Sequence, residues 1–182
     1  MVISRSRRLS CVFILVCVLT IGVLRDVRAS GLLIPLEFPR TLKADKALEP
    51  QLSRMLATSP TFREQCARLD EAEKLAVVLR VNPMLPKTLF RARSTIRRYS
   101  SGLIVVTVEV APGSEQAGWI GHEFEHVLEV VEGNNLQAMA RHYKPGVWNS
   151  VEGMIETKRA MEAGRDVLFE TTTVDASDKF VE

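Results

Sequence analysis

His122-Glu123-Phe124-Glu125-His126, set between Trp119-Ile120-Gly121 and Val127-Leu128-Glu129-Val130, decides how the chain is read. Two histidines four apart, with neither Gly nor Pro between them, stack their imidazoles on one helix face about 6 Å apart at Cβ. Zinc needs nitrogens at roughly 2.0–2.1 Å, and this spacing delivers two of them. Glu123 follows the first His, so its carboxylate flanks the same face and can take a proton from a water that the metal has acidified. Only three His occur in the chain, and two of them stand here with the Glu correctly placed. That favours a metal over two solvent-facing rings on a charged helix. Trp119, Ile120, Val127, Leu128 and Val131 make the helix partly buried, where an unpartnered His pair costs free energy.

A catalytic zinc takes a third protein ligand and keeps a position open. Glu132 lies ten residues after His122, but Glu129 keeps the helix unbroken where a Gly would be needed, and an unbroken helix turns Glu132 away. Glu129 shares the His face one turn on, and suits a partner that orients an imidazole better than a ligand. Downstream, Glu156 is followed along one helical stripe by Ala160, Gly164 and Val167. Small residues there let a last helix approach the His helix closely and bring a carboxylate to the metal. Glu152 lies one turn earlier on that stripe. Glu156 is favoured over it on packing, although acids at a helix start also suit the helix dipole.

Working outward, Leu48 to Ala57 carries Leu48, Leu52, Met55 and Leu56 at helical spacing, and Ser59-Pro60 reads as an N-cap with Pro at the first helical position. The helix that follows puts Phe62, Cys66 and Leu69 on one face, which places Cys66 in the core. Leu75 to Val81 is a short β-branched strand, and Thr95–Tyr99 with Leu103–Val110 flank Ser100-Ser101-Gly102 as a hairpin. Arg91, Arg93, Arg97 and Arg98 cluster near its first arm and read as a solvated strand edge rather than an anion site. Ser114 is the expected N-cap of the His helix, which runs to about Glu132. A short helix covers Leu136 to His142. Asn149 with Glu152 resembles a capping box that opens the last helix, ending near Phe169 before a fraying polar tail. The stretch 31–44, with Pro35 and Pro39, reads as an extended arm. The order of elements gives an α+β domain.

Residues 1–10 carry Arg5, Arg7 and Arg8, an apolar run follows from Cys11 to Leu24, and Val27 and Ala29 are small. This is the tripartite pattern of an export signal, with cleavage expected after Ala29 and a single domain in 30–182. The apolar run falls short of the roughly 20 residues that cross a bilayer, so an uncleaved membrane anchor is the lesser alternative. Residues 1–29 hold five of the 24 basic and one of the 22 acidic residues, which leaves 19 against 21 and a net charge of −2. Such a balance makes no electrostatic case for nucleic acid. Removing the signal also leaves Cys66 as the one cysteine, so no intrachain disulfide can form.

Trp-Ile-Gly-His-Glu-Phe-Glu-His-Val-Leu-Glu-Val (119–130) and Ile-Glu-Thr-Lys-Arg-Ala-Met-Glu-Ala-Gly (155–164) together resemble short exported bacterial proteins of the zincin type, and more broadly are similar to gluzincin metallopeptidases. The resemblance covers about 50 residues. It departs around Glu156, since gluzincins commonly carry Asn-Glu where Ile155 stands here. It implies a small zincin-like domain with a short antiparallel or mixed sheet, a helix bearing the His pair and a following helix bearing the Glu. It also implies zinc held by His122, His126 and Glu156, Glu123 as general base, a peptide or protein substrate, and Leu103–Val110 bordering the cleft. A donor to the developing oxyanion is expected, and His142 or Tyr143 could supply it. The alternative is an exported metal-binding or interaction protein with a silent site. A di-iron carboxylate centre is disfavoured because it needs a second Glu-x-x-His, and His142 has Met139 three residues before it.

Overall fold

A computed structural model of the chain describes residues 38–85, 91–150 and 153–178. The expected export signal, its cleavage point, residues 31–37 of the arm and Glu152 lie outside the described residues. Strand β1 (Leu42–Ala44) is followed by a single 3-10 turn and by helices α1 (Glu49–Thr58) and α2 (Pro60–Glu71). Strands β2 (Leu75–Val81), β3 (Ala92–Arg98) and β4 (Ile104–Val110) follow, then α3 (Gln116–Val131) and α4 (Leu136–Arg141). A small hairpin, β5 (Val147–Asn149) and β6 (Ile155–Thr157), leads into α5 (Lys158–Asp178). The sheet is mixed, in the order β1-β2-β4-β3, with β3 antiparallel to β4 and the other neighbours parallel. The architecture is α+β. Among the described residues no helix is long and apolar enough to cross a membrane.

Local chemistry accounts for the boundaries. The Ser59 hydroxyl accepts from the Phe62 amide at 3.0 Å and caps α2, with Pro60 in its first turn. Gly102, at φ +83°, closes the β3–β4 hairpin, where the Tyr99 amide donates to the Leu103 carbonyl. Alternation along β2 and β4 buries Leu75, Val77, Leu79, Val106, Val108 and Val110 on one face. That face meets Leu52, Met55, Phe62, Ile120 and Phe124 from the helices in one core. Burying each such side chain contributes about 1.5–3 kcal/mol.

Three boundaries differ from the sequence expectation. Helix α3 begins at Gln116 behind Glu115, and Ser114 does not cap it. Asn149 sits in β5 and opens no helix. Helix α5 starts only at Lys158, where the Thr157 hydroxyl accepts from the Ala160 amide at 3.0 Å. It also runs well past Phe169, because Glu170 has a partner: its carboxylate accepts from Ser59 Oγ, the Thr61 amide and Thr61 Oγ1 at 2.5, 3.1 and 2.8 Å. A carboxylate at the first turn of α2 is favoured by the helix dipole, and it ties α5 to that turn.

Cys66 is buried among these side chains, and burial pushes its thiol up to about 12. The thiolate is therefore scarce at neutral pH. In protein trimmed to residues 30–182, Ellman's reagent at pH 8 is expected to leave Cys66 unmodified until denaturant is added. Rapid labelling of the native protein would contradict its place in the core.

Candidate metal centre

Helix α3 lies at the middle of the molecule, with nearly every residue from Ala117 to Val130 buried, including His122, Glu123, Glu125, His126 and Glu129. Buried ionisable groups must find partners or neutralise. Glu125 does so by accepting from Gln65 Nε2 at 2.8 Å and Arg159 Nε at 2.5 Å, with Arg68 Nη1 at 3.5 Å. Glu129 Oε2 lies 3.0 Å from His126 Nδ1 and fixes that ring. Glu123 Oε2 accepts from Ser94 Oγ, on β3, at 2.6 Å. Glu132 pairs with Arg68 and Arg159.

Three buried side-chain atoms among the described residues lack a hydrogen-bond partner, Gln65 Oε1 and two that face one another beside the histidines. Glu156 Oε2 lies 3.1 Å from His122 Nε2 and 3.7 Å from His126 Nε2, yet neither approach is aligned as a hydrogen bond. His126 Nε2 and Glu156 Oε2 are both fully buried and lack a hydrogen-bond partner. Two nitrogens and a carboxylate oxygen converge with mutual separations within 4.8 Å. Tetrahedral bonds of zinc length place ligand atoms about 3.4 Å apart, so small rotations close the set around an ion. The donor set of two imidazoles and one carboxylate is the type that binds zinc, and three protein ligands leave a position open.

The electrostatics of the metal-free site follow from this crowding. Burial opposes charge on His126, but the hydrogen bond with Glu129 and the nearby carboxylates of Glu156 and Glu123 outweigh it and raise the ring to about 9. Burial likewise opposes ionisation of Glu156, and the two histidines more than offset it, holding the carboxyl near 2. A proton thus occupies the site at neutral pH, and a metal must displace it. Burial lifts Glu123 above the usual carboxyl range, and His122 and the Ser94 hydrogen bond only partly offset that rise.

Glu156 reaches the histidines by a route the sequence did not suggest. It belongs to β6, opposite Trp148 of β5, and not to a helix. The stripe Ala160, Gly164 and Val167 does pack on α3, and it sets the distance. Gly164 approaches so closely that a Cβ there would lie 2.8 Å from the Gly118 carbonyl oxygen and 2.9 Å from His122 Cβ. A Cβ at Gly121 would lie 2.7 Å from Val167. Short β-prone triplets around Gly153, Val147-Trp148-Asn149 and Ile155-Glu156-Thr157, were the available sign of the hairpin.

Beside the cluster runs a cleft of about 950 Å³. One wall is β3, with Arg93, Ser94, Ile96 and Arg98; Glu123, His126 and Val130 line its floor. The segments 133–137 and 153–156 form the remainder. Strand β4 is interior to the sheet and does not border the cleft, contrary to expectation, because β3 covers its outer side. Arg93 and Arg98 therefore belong to the cleft wall rather than to a merely solvated edge. Neither His142 nor Tyr143 lines the cleft. Both are exposed at the end of α4, and Tyr143 is 91% exposed at φ +50°. Ser94, the hydroxyl beside the catalytic candidate Glu123, stands in an Arg-rich run that masks it, though Ser94, Ile96 and Arg98 share one strand face at period two.

Comparison of the chain with protein-family models, with curated proteins and with solved structures finds no match.

Proposed function

We propose that the protein is a zinc-dependent hydrolase, a small metallopeptidase of zincin-like design acting on peptide or protein substrates outside the cytoplasm. The observation that carries this reading is the pair of buried, unpartnered atoms, His126 Nε2 and Glu156 Oε2, converging with His122 Nε2 beside an open cleft that His126 and Glu156 help to line. Unsatisfied buried polar atoms are rare in folded proteins, and a cation satisfies all three at once. His122, His126 and Glu156 would hold the ion, with Glu129 orienting His126.

A zinc ion there would supply Lewis acidity, polarising a substrate carbonyl and acidifying water. The chain's own residues do the rest. Ser94 holds Glu123 Oε2, which leaves Oε1 to take a proton and pass it to the leaving amine. A carboxyl lifted by burial is a stronger base than an exposed one. Among the described residues β3 has no partner strand on its outer side, so an extended peptide can pair with that edge and lie across the floor.

Metal content decides the first half of the reading. Protein purified without chelator is expected to hold one zinc per chain and to cleave members of a peptide library, with activity lost to chelation and restored by zinc. Zinc bound with no cleavage of any peptide would reduce the protein to a metal-binding module. Glu156→Ala removes a ligand, so its zinc affinity is expected to fall by more than the about 10–100-fold typical of losing an outer partner. Unchanged affinity, measured by competition with a chromophoric chelator, would remove Glu156 from the ligand set.

A further inference from the structure

Glu156 stands on a three-residue strand, too short to fix a carboxylate by its own ladder. Three residues on, at the second position of α5, Arg159 reaches across to α3. Its Nε donates to Glu125 Oε1 at 2.5 Å, and its Nη1 and Nη2 donate to Glu132 Oε2 and Oε1 at 2.5 and 2.8 Å. The second contact is a bidentate fork, the most directional ion-pair geometry available to a side chain. Glu125 is the residue immediately before His126 and is only 4% exposed, so it cannot drift with solvent. The guanidinium thus ties the segment carrying the third candidate ligand to the helix carrying the first two.

We infer that Arg159 is a positioning residue for the metal centre, setting the reach of Glu156 to the His122–His126 pair by pinning the start of α5 to Glu125 and Glu132. This rests on the zinc reading above. Arg159 does not touch the cluster; it acts through the backbone of residues 156–159. Thr157, which caps α5, and the Lys158 amide, which donates to the Gly146 carbonyl at 2.8 Å, make that short segment stiff enough to transmit the constraint.

Arg68 supplies the control. It pairs with the same two carboxylates but comes from α2, which carries no candidate ligand. If the arginines serve only to neutralise buried acid, Arg68→Gln and Arg159→Gln weaken zinc binding alike. If Arg159 positions Glu156, only its loss does so.

The experiment is a competition titration with zinc and a chromophoric chelator on the purified wild-type protein and both variants, with circular dichroism to follow the fold. The expected result is about a 10–100-fold weaker zinc complex for Arg159→Gln, less than threefold change for Arg68→Gln, and an intermediate value for Arg159→Lys, which keeps charge without the fork. Should Arg159→Gln fail to fold because Glu125 is left unpaired, Glu125→Gln with Arg159→Gln removes the stranded charge and is expected to keep the zinc defect. Wild-type protein that binds no zinc would sink the functional reading itself. Wild-type binding with equal affinity in Arg159→Gln, or equal losses in the Arg68 and Arg159 variants, would overturn the inference alone.

Discussion

Replacing Glu123 with Gln is expected to lower hydrolysis by about 10²–10⁴-fold, the usual contribution of a positioned proton-transfer group, while zinc stays bound. Gln has the shape of Glu and its amide oxygen can still accept from Ser94 Oγ, so the local packing holds. The substitution removes a charge from a site where burial already disfavours one. The variant should therefore unfold no earlier than wild type, which separates loss of chemistry from loss of structure. His122, His126 and Glu156 are untouched, so zinc stoichiometry is unchanged. Turnover equal to wild type on any cleaved peptide would show that Glu123 is not the base.

Gly164→Ala is expected to damage both the fold and the metal centre. The added methyl would meet the Gly118 carbonyl oxygen at 2.8 Å and His122 Cβ at 2.9 Å. Neither is the far end of a flexible side chain, so α5 must move away from α3. Overpacking of this kind costs about 1–3 kcal/mol, against which the better helix propensity of Ala returns up to about 1 kcal/mol. A net loss of about 1–2 kcal/mol lowers Tm by roughly 2–8 °C in a domain of this size. Because α5 follows β6 directly, its displacement also carries Glu156 away from the histidines, and zinc affinity should fall together with Tm. A variant with wild-type Tm and wild-type zinc affinity would show that the helices do not cross as closely as described.

The parts of this molecule that could be read in its sequence are those governed by short-range periodicity. The His pair four residues apart, the Ser59-Pro60 helix start and the alternating valines of β4 each carry their signal within one or two turns or one strand. The route to Glu156 does not. Three-residue strands are too short for a period of two to rise above noise, and Thr157, read locally, looks like the middle of a helix rather than its cap. The sequence places Glu156 on a helical stripe, whereas in the structure the stripe begins after it. The burial of α3 was equally hidden. Three acids and two histidines among sixteen residues suggest a half-solvated helix, and full burial is tolerable only because Gln65, Arg68, Ser94 and Arg159 arrive from other elements. The cleft wall is the Arg-rich arm of the hairpin and not the more hydrophobic one. Strong hydrophobicity marks the strand flanked on both sides, and the Arg-rich arm is the one left at the edge.

That exposed edge has a bearing on how the protein behaves in a crowded compartment. A strand offering unpaired amides and carbonyls to a passing peptide offers them equally to the same strand of another molecule, which is how edge-to-edge aggregates begin. Strand β3 carries Arg93, Arg97 and Arg98, with Arg91 just before it. Two copies brought edge to edge would set these cations against one another, and like charges facing across a strand pair repel. The same four arginines can thus keep the molecules apart in solution while leaving the groove open to chains of different charge.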